Sequence, residues 1–92
     1  MPQLKVPTML RATVGGEREI AALGGTLRDV INNVNDKHPG FADQLLDPGT
    51  HDLRPFVNVY VNDEDARYLQ RLDTQLDEMD VVSILPAVAG GR

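Results

Sequence analysis

Valine recurs at every second position from Phe56 to Asn62, the sequence Phe-Val-Asn-Val-Tyr-Val-Asn. A period of two predicts a strand with unlike faces, Val57, Val59 and Val61 turned to a core and Phe56, Asn58 and Tyr60 turned outward. The period changes earlier in the chain. Leu27, Val30, Ile31 and Val34 recur at the spacing of one helical face, which predicts an amphipathic helix. Thr26 stands where a cap is needed, and Asp29 three residues on can answer it in a capping box. Lys37 and His38 follow where the helix dipole favours cations, and Pro39-Gly40 ends the helix.

Around these two elements the remaining pattern is shorter. Leu4, Val6, Met9 and Leu10 predict a first strand over Gln3 to Leu10, and Glu17 to Ala22 a second. Thr13-Val14-Gly15-Gly16 between them is a turn signal, so the two should form a hairpin, with Gly24-Gly25 breaking the second strand. Phe41 to Asp47 reads as a short helical turn pinned by Phe41, Leu45 and Leu46, and Asp47-Pro48-Gly49-Thr50 as a loop. Asn62-Asp63-Glu64-Asp65 reads as a polar turn, Ala66 to Tyr68 as a short edge strand, and Leu69, Leu72 and Leu76 as apolar points in an irregular connection. Asp80 to Leu85 is apolar on both pleats and asks for a central place beside the first strand, with Pro86 removing a backbone donor and stopping the ladder. One helix on one face of a mixed sheet of four or five strands is a two-layer α+β domain of β-grasp type. The expected division is a β-grasp domain over 1–85 and a tail over 86–92.

That tail is Pro86-Ala87-Val88-Ala89-Gly90-Gly91-Arg92. Its small side chains bury too little apolar surface to offset the entropy of ordering it, so mobility is expected. Pro86 to Gly91 spans about 20 Å when extended, at roughly 3.3–3.6 Å per residue. Two readings remain: a frayed terminus, or a thin tip that delivers its own carboxyl to another protein.

Composition narrows the function classes. With 92 residues there is one core. A net charge of −5 argues against nucleic acid, which would ask for a basic stripe. No apolar run reaches transmembrane length and no signal-peptide segment follows Met1, so no membrane partner and a cytoplasmic protein are expected. The absence of Cys removes disulfides, thiolate nucleophiles and thiolate metal sites.

Candidate chemistry within the domain is thin. Asp63, Glu64 and Asp65 are a carboxylate cluster, but in a tight turn without the further oxygen ligands of a calcium loop they read as a solvated turn. His38 and His51 lack a nucleophile in motif spacing and read as surface residues. Gly15-Gly16 and Gly24-Gly25 are too short for phosphate loops. The chain is expected to carry no catalytic residue, to bind no metal or cofactor of its own, and not to be an enzyme. Phe56 and Tyr60 differ, because two outward aromatics in a chain with four are interface anchors unless the connection from Leu69 to Leu76 covers them.

The tail Ala87-Val88-Ala89-Gly90-Gly91, the run Phe56 to Asp65 and Asp80-Val81-Val82-Ser83-Ile84-Leu85-Pro86 together resemble the ubiquitin-like sulfur carriers. These include the molybdopterin synthase small subunit and the thiamine sulfur carrier; the chain is most similar to the carriers of cysteine biosynthesis. Leu69 to Leu76 and Gly24-Gly25-Thr26 extend the likeness over nearly the whole chain. The resemblance implies that an E1-like enzyme adenylates Gly91 with ATP, that the product becomes a thiocarboxylate, and that Val88, Ala89 and Gly90 thread the partner's channel. It implies as further partners a PLP-dependent cysteine synthase or another sulfur acceptor, and a JAMM-type zinc metalloprotease. Phe56 and Tyr60 then become partner-docking residues. Active carriers end at the second glycine, whereas Arg92 follows here, so Gly91-Arg92 is expected to be a processing site. The alternatives are a molybdopterin synthase small subunit, from which Pro86-Ala87 in place of a Pro-Pro pair leans away, a ubiquitin-like protein modifier, and an adaptor whose tail is irrelevant.

Overall fold

The structure, a computed structural model, describes residues 1–55 and 57–86, Pro86 by its backbone. Expectations that fall on Phe56 and on residues 87–92 lie outside the described residues. A five-stranded mixed sheet is crossed on one face by the long helix. The strands are β1 (Gln3–Lys5), β2 (Glu19–Ala21), β3 (Val57–Val61), β4 (Glu64–Asp65) and β5 (Val81–Pro86), in the order β2-β1-β5-β3-β4. The last strand is therefore central, parallel to β1 and antiparallel to β3. Fold class and layer arrangement are those expected.

Helix α1 (Leu27–Lys37) forms as its sequence dictates. Thr26 caps it by accepting the Asp29 backbone N–H at 3.2 Å, and Leu27, Val30, Ile31 and Val34 are buried on one face. They pack with Leu4, Val59, Val82 and Ile84 in one core. The start of α1 is tied to the irregular connection: the Leu27 N–H donates to the Thr74 carbonyl, and the Leu76 N–H to that of Gly25. The first of these bonds occupies an N–H that a helix N-terminus leaves unpaired. Helix α2 (Phe41–Leu45) is the short helical turn expected, ending two residues earlier because Leu46 is extended and bridged to Leu53, with Phe41 and Leu45 buried. Asn35 in α1 reaches its start, accepting the N–H groups of Gly40 and Ala42 at 3.2 and 3.0 Å.

Four local expectations are corrected. The first strand is three residues long, because Pro7 introduces a 3-10 helix over Thr8–Val14 that ends on left-handed Gly15. β1 and β2 are still antiparallel neighbours, joined by that helix rather than a tight turn. Ala66–Tyr68 is a 3-10 helix, and the edge strand is Glu64–Asp65 before it. The turn narrows to Asn62-Asp63, both at positive φ, between the paired Val61 and Glu64. A two-residue turn with both residues left-handed suits the twist of a hairpin, and Asn and Asp tolerate it. Finally, Pro86 does not lie beyond the ladder but stays in register opposite Val57.

Gly24 marks the tightest approach of loop to helix. A Cβ there would sit 2.7 Å from the backbone nitrogen of Val30 and from Asp29 Cβ. Gly24→Ala is expected to destabilise the domain by about 1–3 kcal/mol, the cost of forcing backbone apart. Urea titration against the wild type measures it; an unchanged midpoint would mean that the loop yields freely.

Candidate functional site

The outer sheet face, turned away from α1, is set by register. One row runs across all five strands as Glu19, Lys5, Ser83, Tyr60 and Asp65, each opposite the next. A parallel row places Ala21, Gln3 and Val81 side by side. Toward the tail, Leu85 lies opposite Asn58. The inward pleat of β5 is buried at Val82 and Ile84, but its outward pleat is open: Val81 and Ser83 are half-buried and Leu85 is 51% exposed. The expectation that β5 is apolar on both pleats is thus right in composition and wrong as a guide to burial.

Tyr60 lies on this open face, half-buried between Ser83 and Asp65. The connection from Leu69 to Leu76 is held on the helix side. Leu72 and Leu76 enter the core, and the segment runs beside α1 through the Thr74 and Leu76 bonds. What reaches the outer face instead is Arg67. Its guanidinium donates to Asn58 Oδ1 at 3.0 Å and to the Arg54 carbonyl at 2.7 Å. Arg54 in turn donates through Nε and Nη2 to the Asp43 carbonyl. Sequence reasoning passed over both arginines. The alternation that marks Asn58 as outward was the available signal, but not which side chain would meet it.

Of the other residues singled out, Gly91, with Val88, Ala89, Gly90 and Arg92, lies outside the described residues, as does Phe56. Asp63 and Glu64 are exposed, while Asp65 is half-buried and accepts the Arg67 backbone N–H at 2.9 Å. Among the described residues no group of three His, Cys, Asp or Glu side chains is arranged to hold a metal ion. No helix of the described residues is long and apolar enough to cross a membrane. His51 lines a polar cleft with Arg28, Asp52, Arg71 and Asp73, where the ion pairs Arg28–Asp73 and Arg71–Asp52 span 3.3 and 3.1 Å. His38 closes α1, its backbone N–H donating to the Val34 carbonyl.

Asp80, at the end of the sheet where β5 begins, holds the β3–β4 turn. Its Oδ1 accepts Asn62 Nδ2 at 2.7 Å and its Oδ2 the Asp77 backbone N–H at 2.8 Å. Asn62 Oδ1 accepts the N–H of Val81. The Asp77 N–H first, and then the Asn62 carboxamide, hold the Asp80 carboxyl below its ordinary 3.8. This cluster joins the ends of two strands and is structural.

The ThiS family matches residues 4–91. Sulfur carrier protein CysO of Mycobacterium tuberculosis is 44% identical over 89 residues, 96% of each chain. Small archaeal modifier protein 3 of Haloferax volcanii is 36% identical over 66 residues, 72% of this chain and 70% of that protein. A chain in the crystal structure of the Amycolatopsis orientalis BexX/CysO complex superposes with a TM-score of 0.93 at 40% identity, covering 99% of this chain and all of that one.

The Asp80 cluster gives a pH dependence of known sign. A carboxyl whose folded pKa is depressed stabilises the fold above its ordinary pKa and loses that contribution as the pH falls through the folded value. Asp80→Ala is expected to lower the melting temperature by several degrees at pH 7. The gap to wild type should shrink as the pH is taken below 3.8. Thermal melts by circular dichroism at both ends of that range provide the check, and a gap independent of pH would show that the charge is not what matters.

Proposed function

The chain belongs to the ThiS family of ubiquitin-like sulfur carriers, and from that membership we propose that it carries sulfur on the carboxyl of Gly91. The observation that carries this reading is the extent of the family match, which runs through the second glycine and leaves Arg92 outside. In the proposed sequence an E1-like partner transfers AMP from ATP to the Gly91 carboxylate, releasing pyrophosphate. Sulfide then adds to the acyl carbon and AMP leaves, giving a thiocarboxylate. A carboxylate is a poor electrophile and the mixed anhydride a good one, which is why ATP is spent at this step. The tethered sulfur is nucleophilic yet does not diffuse as sulfide does.

Val88, Ala89 and Gly90 suit a narrow channel, since small side chains let the backbone pass and glycine adopts any conformation the channel imposes. Phe56 and Tyr60 dock the partner, Tyr60 from the open sheet face. Likeness to CysO favours cysteine as the destination of the sulfur, with a PLP-dependent cysteine synthase as acceptor and a JAMM-type zinc protease releasing product. ATP, PLP and zinc would all belong to those partners, and the chain itself would be a co-substrate. In this chain the Gly91 carboxyl is held in the peptide bond to Arg92, so a cut after Gly91 comes first. The same protease is the economical candidate, because releasing an amide-linked cysteine is also a cut after Gly91. A second reading, a modifier joined to lysines through the same activated carboxyl, draws on the 36% identity to the archaeal modifier.

Two experiments test the proposal. Chains ending at Gly91 and at Arg92 are incubated with the E1-like enzyme, ATP and sulfide, and weighed by intact mass spectrometry. The Gly91 form is expected to gain the mass difference of sulfur over oxygen, about 16 Da, and the Arg92 form to stay unchanged; thiocarboxylate on Arg92 would end the precursor reading, and thiocarboxylate on neither would end the carrier reading. A ladder of lysine conjugates in cell extract would favour the modifier. In the second experiment Phe56→Ala with Tyr60→Ala should remain folded and lose about 1–3 kcal/mol of binding per anchor. Normal affinity in that double variant would remove the aromatic pair from the interface.

A further inference from the structure

The guanidinium of Arg67 is fixed in place before any partner arrives. Asp65 caps the short 3-10 helix that carries it, and two of its five side-chain N–H groups are committed to Asn58 Oδ1 and the Arg54 carbonyl. Both acceptors are neutral. Among the described residues no carboxylate lies within 4 Å of it, whereas Arg28 and Arg71, on the side of α1, each have an aspartate partner. Arg67 is half-buried, in a chain whose net charge is −5. It is also next to the root of the tail. Asn58, to which it is bound, lies directly opposite Leu85, and neighbouring strands are only about 4.7–4.9 Å apart.

We propose that Arg67 is the docking anchor for a carboxylate on the enzyme that receives the tail, a role that rests on the sulfur-carrier reading and specifies its interface. A partner seated over Leu85 and Tyr60 would strip water from this guanidinium. Losing water from a charge is costly unless an opposite charge replaces it, and a planar fork with unused N–H groups matches a carboxylate in two-pronged fashion. A nucleotide phosphate does not fit the position. Five residues separate Pro86 from the reacting carboxyl, about 17 Å at roughly 3.3–3.6 Å each, so a partner that holds the tail extended has its AMP-forming centre away from Arg67. A second copy of this chain is a poor occupant as well, since two domains of charge −5 repel. The fitting partner has an acidic side chain at the mouth of its tail channel, placed to read the cation in an otherwise acidic carrier.

The test measures binding of the chain ending at Gly91 to the E1-like enzyme by calorimetry at several salt concentrations. The set is wild type, Arg67→Gln, Arg67→Lys and, as a control, Arg18→Gln on the exposed stretch before β2. Arg67→Gln is expected to raise Kd about tenfold or more and to flatten its salt dependence. Arg67→Lys, which keeps the charge without the fork, should fall between and retain the salt dependence; it also serves if Arg67→Gln folds poorly, which thermal melts reveal. The control should stay within about twofold of wild type, as for a charge outside an interface. An Arg67→Gln Kd within that same margin, a salt dependence unaltered in it, or no binding of the wild type would overturn the proposal. So would a wild-type dimer that Arg67→Gln dissolves in sedimentation experiments. A wild type that binds but gains no sulfur would sink the carrier reading alone, and the Arg67 comparison would still decide this one.

Discussion

The pairing of β5 with both β1 and β3 is the constraint on which the other parts of this domain depend. A strand that is parallel to one neighbour and antiparallel to the other must be entered from a chosen end. The chain leaves β4 on one side of the sheet and has to return to the Asp80 end before β5 can start. The stretch between is therefore long, and it is put to use on the way. Thr74 and Gln75 lie against the start of α1, Thr74 taking the Leu27 N–H through its carbonyl. Val82 and Ile84 then close the core beneath the helix, and the chain reaches Pro86 from the middle of the sheet rather than from an edge.

That placement explains how a small domain keeps its two faces distinct. The inner face is saturated by α1, with Leu4, Val59 and Val82 all but inaccessible. Among the described residues no long helix lies on the outer face, and its middle row is polar: Lys5, Ser83 and Asp65 surround Tyr60. Near the tail root, by contrast, Leu85 is exposed and Arg67 lies over Asn58. A tyrosine and an immobilised arginine are residue types that anchor interfaces, and the exposed leucine adds apolar surface beside them.

Legibility followed the range of the information. Helix α1 was readable because cap, period and terminator are all local, from Thr26 to Pro39. β3 was readable because strict alternation has one physical explanation. The stretch from Gln3 to Leu10 was not: its apolar spacing suits a strand, yet Pro7 turns it into a 3-10 helix that leaves Met9 70% exposed. Ala66–Tyr68 failed for a related reason, since Asp65 caps a helical turn there and three residues are too few to show a period.

The sequence by itself determined the family, the layer architecture, the main helix and the chemistry expected of a Gly-Gly tip, because each is written in short runs of local pattern. Tertiary structure alone decided which pleat of β5 meets water and which side chains share the tail root. Composition cannot separate the two pleats of an apolar strand; only the helix lying over one of them does. Nor does the chain announce that Arg67 will reach Asn58, nine residues away, or that Asn58 will stand beside Leu85. Register between strands distant in sequence creates that neighbourhood, and register is settled by the whole core packing at once.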